Sequence, residues 1–253
     1  MSLGNSWQNP KPRESLTLLQ ERFIRMGFEG LTALEIVELL FSIALPRNKS
    51  KMLAGKCVKN FHNLRGLLAA STEDLEQAGF CPSSICSIKL LHELPSEILK
   101  EKITEQPVHL SSREFFDYLY LSMRDLEKEV FKVLYLNNRS QIINTEDLFE
   151  GTLDTVPIHP REIIDSALKY NATCLIFAHN HPAGDPAPSR NDKQITRDLV
   201  FMGMILGIKV LDHIIIGNDR YFSFADEGLI EKYEDGFLNL KIKGGLDTRH
   251  AVF

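Results

Sequence analysis

The stretch Cys174-Leu-Ile-Phe-Ala-His-Asn-His-Pro-Ala-Gly-Asp-Pro-Ala-Pro-Ser-Arg-Asn-Asp192 carries most of the structural and chemical information in this sequence. It opens with an apolar run, Cys174–Ala178, which predicts a buried strand. Residues two apart on an extended chain point to the same side. His179 and His181 can therefore direct both imidazoles to one point.

A proline-rich loop follows the two histidines. Pro182, Pro186 and Pro188 stiffen this loop, and Gly184 permits an unusual backbone angle within it. The loop could return Asp192, in the first turn of the next helix, to the two imidazoles. Two histidines and an aspartate with one open coordination position form the arrangement of a catalytic rather than a structural zinc site.

Each part of this pattern also has a simpler explanation. An H-x-H pair taken alone is a weak indication of a metal site. Ser189 and Asp192 spell S-x-x-D, a capping box that could serve only to begin the helix. The residues by themselves leave open both a metal site and an ordinary strand–loop–helix connection.

The apolar patterns along the whole chain predict an α/β (α+β) fold. Apolar residues recur at helical spacing up to about Ile103, which predicts a helical N-terminal domain at residues 1–105. Beyond it, β-rich runs alternate with helical patterns, which predicts a mixed β-sheet domain flanked by helices at residues 106–231. Residues 232–253 form a C-terminal tail whose structure the sequence leaves open.

The elements of the second domain follow from its periodicity and its turn residues. The pattern predicts helices and strands in the order helix Ser112–Leu126, strand Glu129–Leu136, strand Gln141–Phe149, a helix opened by Pro160, strand Thr173–Ala178, helix Arg190–Leu206, strand Ile208–Ile216 and strand Arg220–Phe224.

Composition narrows the class of protein. The hydrophobic share of 43% and the charged share of 25% are those of a globular protein and exclude disordered and collagen-like chains. Four irregularly spaced cysteines do not suit a disulfide framework and favour a reducing cytoplasm. No apolar run approaches the roughly 18 residues that a membrane span requires. The formal net charge of −5 does not favour nucleic acid as a partner.

The sequence resembles the JAMM (MPN-plus) metalloproteases, and in particular their bacterial RadC branch. His179-x-His181 followed by Ser189 and Asp192 matches the H-x-H-x7-S-x2-D signature of that family. The resemblance is strong over Glu129–Ile230 and fainter in the helical half. Further matching stretches are Phe149–Leu153, Ile158–Glu162, Asn171–Ala172 and Leu211–Ile215.

The resemblance implies a JAMM/MPN-like domain that binds one zinc ion per chain. His179, His181 and Asp192 would be the protein ligands, and a water would fill the fourth position. Ser189 would donate its hydroxyl to the oxyanion of the tetrahedral intermediate.

The family also uses a glutamate on an early strand as the general base. Glu129, which heads the strand Glu129–Leu136, is the best match here, with Glu127 close by and Glu150 as a weaker candidate. A solvated carboxylate at the end of a strand is the alternative interpretation of Glu129.

His213 stands beside Asp212 on a predicted strand. A carboxylate in that place could orient a metal ligand. A purely structural pair is the favoured interpretation of these two residues.

The leading hypothesis is thus a zinc-dependent hydrolase that cleaves a peptide or isopeptide bond in an unidentified peptide or protein. A metal-binding but inert domain is its nearest rival. A second hypothesis is a DNA-repair-associated protein that binds DNA and a protein partner. A third is nuclease chemistry at the same metal.

The second hypothesis depends on the helical half, because RadC-like proteins carry a region there that resembles helix-hairpin-helix DNA-binding modules. The matching turn is Gly79–Ser84, but Cys81 replaces its second glycine and Ser84 stands where lysine is usual. Both changes weaken phosphate binding. A run of basic residues over Arg47–Arg65 could touch phosphates or could form a solvated helix face.

Overall fold

The computed structural model describes residues 17–43, 45, 47–105, 107–108, 113–151 and 159–243. The chain divides into two compact units between Leu94 and Pro95. This division falls inside a long helix, Pro82–Glu105. The domain boundary at residue 105 stays a prediction.

The described residues contain helices in both units and strands in the second only. The helices are α1 (Leu18–Met26), α2 (Ala33–Ser42), α3 (Arg47–Asn60), α4 (Leu64–Ala69), α5 (Thr72–Gln77), α6 (Pro82–Glu105), α7 (Arg113–Met123), α8 (Pro160–Lys169), α9 (Arg190–Leu206) and α10 (Leu229–Lys243). The strands are β1 (Glu129–Leu136), β2 (Ile142–Gly151), β3 (Cys174–Asn180), β4 (Lys209–Ile216) and β5 (Tyr221–Ser223).

The first unit is a small helical bundle. Hydroxyl side chains begin three of its helices, since Thr17, Thr32 and Ser71 each accept a hydrogen bond from a backbone N–H of the first turn. Its core contains the buried side chains Val37, Phe41, Leu53, Ala54, Cys57, Leu67, Leu75, Phe80, Ile85 and Ile88.

The second unit is built on a five-stranded mixed sheet with strand order β2-β1-β3-β4-β5. β1 pairs antiparallel with both β2 and β3, whereas β3 and β4 are parallel and are joined through α9. β1, β3 and β4 are covered on both faces, which explains their nearly continuous apolar sequences.

Alternate residues of the strands enter two separate cores. Phe131 and Val133 of β1 and Phe177 of β3 pack with side chains from α8, α9 and α10. Leu134 of β1 and Ile176 of β3 face the opposite way and pack with α7 and the end of α6. The candidate site lies on the first of these faces, at the carboxyl end of β3.

The predicted fold class is confirmed: a helical region precedes a mixed sheet flanked by helices. The structure also adds α10, which covers part of the tail predicted at 232–253. Phe237 of this helix packs edge-on against Phe201 of α9, with ring centroids 5.4 Å apart. Residues 244–253 lie outside the described part. Among the helices of the described ranges, none is long and apolar enough to cross a membrane.

Candidate metal centre

Three side chains with metal-binding atoms converge at the carboxyl end of β3. His179 is the last residue but one of β3, His181 follows the strand, and Asp192 is the third residue of α9. Their ligand atoms all lie within 4.8 Å of one another. The structure thus brings together the three predicted ligands in a cluster that could bind a metal ion.

The distances within the cluster suit ligands that share one ion. The two Nε2 atoms of His179 and His181 are 2.9 Å apart. Asp192 directs Oδ1 to His179 Nε2 at 3.4 Å and Oδ2 to His181 Nε2 at 3.6 Å. Ligand atoms around a tetrahedral ion with bonds of about 2.1 Å are separated by about 3.4 Å.

One oxygen of Asp192 lacks a hydrogen bond. The Asp192 side chain is fully buried, and Oδ2 accepts a hydrogen bond from the backbone N–H of Ser189 at 2.7 Å. Oδ1 has no hydrogen-bond partner among the described residues. A buried carboxylate oxygen without a partner is costly. A cation between Oδ1 and the imidazoles would remove that cost, so these residues fit a metal.

The charges of the cluster are mutually dependent. Burial would raise the pKa of the Asp192 carboxyl, but its interactions with His181 and His179 hold that pKa well below its usual range. The facing Asp192 carboxylate raises the pKa of His181. Burial lowers the pKa of His179 well below its ordinary value, and the neighbouring His213 contributes in the same direction. Asp192 is therefore ionised at neutral pH and His179 is neutral.

The start of α9 positions Asp192. Ser189 is the N-cap residue: its hydroxyl oxygen accepts from the Asp192 N–H at 3.0 Å, while the Asp192 carboxylate accepts from the Ser189 N–H. The S-x-x-D pattern is thus a capping box, as the simpler explanation of the sequence predicted. The box also holds the carboxylate toward the two histidines, so capping and ligand placement occur in one motif.

The proline-rich loop positions His181. The His181 N–H donates to the Ile216 carbonyl at 2.9 Å, and the ring nitrogen Nδ1 lies 2.7 Å from the carbonyl oxygen of Asp185. A carbonyl oxygen only accepts hydrogen bonds, so Nδ1 of His181 carries a proton. In the neutral ring this leaves the lone pair on Nε2, which points into the cluster.

The register of β1 and β3 places Glu129 near the cluster. Phe131 lies opposite His179 in the last pair of this antiparallel ladder, and Glu129 lies two residues before Phe131, on the same face of the sheet. The charge of Glu129 also contributes to the raised pKa of His181. Glu127 precedes the strand and is exposed, and Glu150 lies opposite Val130 in β2.

Two further residues, His213 and Thr196, adjoin the cluster, and the sequence pattern singles out His213 alone. His213 of β4 directs Nε2 to His179 Nδ1 at 2.8 Å, and its Nδ1 lies 2.6 Å from the hydroxyl of Thr196 in α9. Burial lowers the pKa of His213 to about 4. No local signal marks Thr196, since its hydroxyl meets His213 only after α9 packs on β4.

Asp212 does not orient the His213 ring. Its carboxylate instead accepts hydrogen bonds from the His213 backbone N–H at 2.7 Å, the Ser223 hydroxyl at 2.6 Å and the Ala225 N–H at 2.9 Å. These contacts join the middle of β4 to β5 and to the turn that follows β5. Asp212 therefore has a structural role, whereas the ring of His213 adjoins the His-His-Asp cluster.

The stretch Gly79–Ser84 lies in the first unit, where it follows α5 and includes the first turn of α6. Gly79 has a backbone φ of 84°. The ammonium of Lys56 in α3 lies close to this glycine, 3.8 Å from the position that a β-carbon would occupy. The turn therefore has a cationic neighbour, although Ser84 replaces the lysine expected within the turn itself.

Comparison with known proteins identifies the family of the domain that carries this mixed sheet and its His-His-Asp cluster. A family model described as "RadC-like JAB domain" matches residues 109–229. The chain is 35% identical over 219 residues to a UPF0758 protein of Pasteurella multocida (strain Pm70), covering 86% of this chain and 98% of the relative. It is 36% identical over 231 residues to a UPF0758 protein of Pseudoalteromonas translucida (strain TAC 125), covering 91% and 100%.

A UPF0758 protein of Rhodobacter capsulatus is 34% identical over 214 residues, covering 84% of this chain and 100% of the relative. The chain belongs to the RadC-like JAB-domain family, whose UPF0758 members it matches over nearly their whole length.

Proposed function

We propose that this protein is a cytoplasmic zinc-dependent hydrolase that cleaves a peptide or isopeptide bond. The observation that carries the proposal is the convergence of His179, His181 and Asp192, with a buried carboxylate oxygen that lacks a hydrogen bond within the described residues. Two imidazoles and one carboxylate, with a position left for water or substrate, are a ligand set of catalytic zinc.

The chain supplies the remaining groups from two sides of the cluster. When bound, zinc acts as a Lewis acid and lowers the pKa of a coordinated water to about 7. The position of Glu129 at the start of β1, two residues from the partner of His179, supports it as the general base that would accept a proton from the attacking water and return it to the leaving amine. Ser189, exposed at the start of α9, can donate its hydroxyl proton to a developing oxyanion while its oxygen still caps the helix.

Metal content and hydrolysis measured together test the proposal. We expect purified wild-type protein to contain one zinc ion per chain and to cleave members of a fluorogenic peptide library. Asp192→Ala should lose both properties. Asp198→Ala is the matched control, because Asp198 lies on the same helix and its carboxylate pairs with Arg197 at the surface. Wild-type protein without stoichiometric zinc after dialysis against a low zinc concentration would contradict the site assignment.

The position of Lys56 beside Gly79 favours nucleic acid binding as a second candidate function. The ammonium supplies a positive charge beside a turn that leads into the N-terminus of α6, and the partial positive charge of that helix end also favours a phosphate. We expect Lys56→Ala to weaken binding of branched or single-stranded DNA and to reduce the salt slope by about 1. Lys232→Ala, an exposed lysine of α10, is the control. No anisotropy change at low salt would remove this candidate.

A further inference from the structure

We infer that Thr196 and His213 are positioning residues that keep the proton of His179 on Nδ1 and so leave its Nε2 lone pair directed at Asp192. The inference deepens the proposed function and rests on it for the use of that lone pair in metal binding. It starts from three successive contacts, which join Asp192 to Thr196, Thr196 to His213 and His213 to His179.

The first contact fixes the proton of Thr196. The main-chain carbonyl oxygen of Asp192 can only accept hydrogen bonds, so the Thr196 hydroxyl donates to it. A hydroxyl has one proton, and the Thr196 oxygen can therefore only accept from its next neighbour. That neighbour is His213 Nδ1, which must carry a proton.

The remaining contacts determine which ring nitrogen of His179 carries a proton. His213 is fully buried among the rings of Phe131, Phe177 and Phe224, and such an apolar site favours the uncharged imidazole. In that ring a proton on Nδ1 leaves Nε2 as an acceptor. The atom 2.8 Å away is His179 Nδ1, which must then donate. A neutral His179 protonated on Nδ1 has its lone pair on Nε2, the atom that faces Asp192 and His181. A cation would satisfy this lone pair, and in the metal-free protein a second proton on His181 Nε2 would do so.

The opposite order of protons is unfavourable. If His213 donated from Nε2, its Nδ1 would require the only proton of Thr196. The hydroxyl oxygen would then meet the Asp192 carbonyl oxygen with no hydrogen between them. His179, Asp192, Thr196 and His213 are all fully buried, so solvent cannot relieve such a contact.

The His213 ring is also held in place by aromatic neighbours. It stacks on Phe224 with centroids 5.0 Å apart, and the edges of Phe131 and Phe177 contact it at 5.5 and 6.0 Å. A ring flip would replace both hydrogen-bonding nitrogens by carbons. The packing thus preserves the orientation on which the three contacts depend.

The test uses a matched pair of variants at Thr196. Thr196→Val keeps the branched shape and removes the hydroxyl, whereas Thr196→Ser keeps the hydroxyl. We expect ¹⁵N NMR of histidine-labelled, metal-free wild-type protein at neutral pH to show His179 protonated on Nδ1. In Thr196→Val the buried His213 Nδ1 loses its acceptor, so the His179 proton should move to Nε2. Zinc affinity should then fall about tenfold, as for other residues that orient metal ligands, and Thr196→Ser should behave as wild type.

Three results would contradict either the inference about His179 or the proposed function. A wild-type spectrum with the His179 proton on Nε2 would overturn the inference, and this measurement needs no variant to fold. Unchanged tautomer and zinc affinity in Thr196→Val would also overturn it and leave the metal site intact. Failure of the wild-type protein to bind zinc would instead contradict the proposed function, while the metal-free spectra would still decide the tautomer.

Discussion

Gly184 lies directly beneath the side chain of Asn218, in the loop that follows β4. A β-carbon on Gly184 would approach Asn218 Nδ2 to 2.3 Å and its Cγ to 2.7 Å. The two residues are also joined by a hydrogen bond from the Asn218 N–H to the Gly184 carbonyl at 3.1 Å. Gly184 has a φ of 91°, which side chains other than hydrogen rarely allow.

We therefore expect Gly184→Ala to lower the free energy of unfolding by more than Gly207→Ala. Gly207 also has a positive φ, 72°, but a β-carbon there would meet nothing within 4 Å. The control should lose about 1 kcal/mol from backbone strain alone, and Gly184→Ala should lose more because of the added clash. Urea unfolding of both variants measures the difference.

A double variant isolates the cause of that loss. Asn218→Ala removes the clashing amide and keeps the backbone hydrogen bond, so Gly184→Ala should cost less in that background. Equal losses in both backgrounds would show that the clash is not responsible.

Substitution of Glu129 should separate metal binding from catalysis. Glu129→Gln leaves the His-His-Asp cluster in place, so zinc content should remain one ion per chain. Hydrolysis should fall about 10²- to 10⁴-fold, the usual contribution of a general base. Glu127→Gln, at an exposed position before β1, should retain wild-type activity. Wild-type rates in Glu129→Gln would assign the proton transfer to another group.

Chelation should destabilise the protein. A ligand present at 100 times its dissociation constant adds about 2.7 kcal/mol to the free energy of unfolding. For a domain of this size we expect EDTA to lower the midpoint of thermal unfolding by roughly 5 to 10 °C. Differential scanning calorimetry with and without EDTA measures the shift. Asp192→Ala should show none, and an equal shift in that variant would place the stabilising metal elsewhere.

Because of Asp212, the free energy of unfolding should decrease as the pH rises from about 4 to 6. Burial raises the pKa of this carboxyl to about 6, although the hydrogen bonds from Ser223 and Ala225 act against the increase. Between the ordinary pKa and the raised one, the folded state keeps a proton that the unfolded chain has lost. The folded state thus binds more protons in that window, and stability decreases with rising pH by about 3 kcal/mol from this group.

Asp212→Asn tests the assignment. The amide oxygen can still accept from the two backbone N–H groups, and the amide nitrogen can donate to Ser223. Relative to wild type, the variant should gain stability between pH 4 and 6.5 when both are unfolded with urea in EDTA. Parallel pH profiles would show that Asp212 does not titrate in this range.

The strands and helices around the site could be predicted because their signals are local. The predicted bounds of β1, Glu129–Leu136, and of α9, Arg190–Leu206, agree with the structure. For α9, Ser189 and Gly207 mark the two ends, and both are caps in the structure. The alternation of side chains along an extended chain was also enough to predict that His179 and His181 point to the same side.

Other features depend on contacts between distant parts of the chain. The partner of the His213 ring is Thr196, on a different element, rather than the adjacent Asp212. α10 has no clear apolar stripe, since Leu240 and Ile242 are exposed near its end. Its packing on α9 therefore could not be read from periodicity.

The crossover from β3 through α9 to β4 has a consequence for descent within the family. One uninterrupted segment supplies His179, His181, Asp192, Thr196 and His213, whereas Glu129 comes from a strand encoded well upstream. A gene exchange that carries this segment would transfer all three proposed metal ligands together. On the proposed function, a change confined to β1 would remove the general base and spare those ligands, so inert descendants that still bind metal would be a short evolutionary step away.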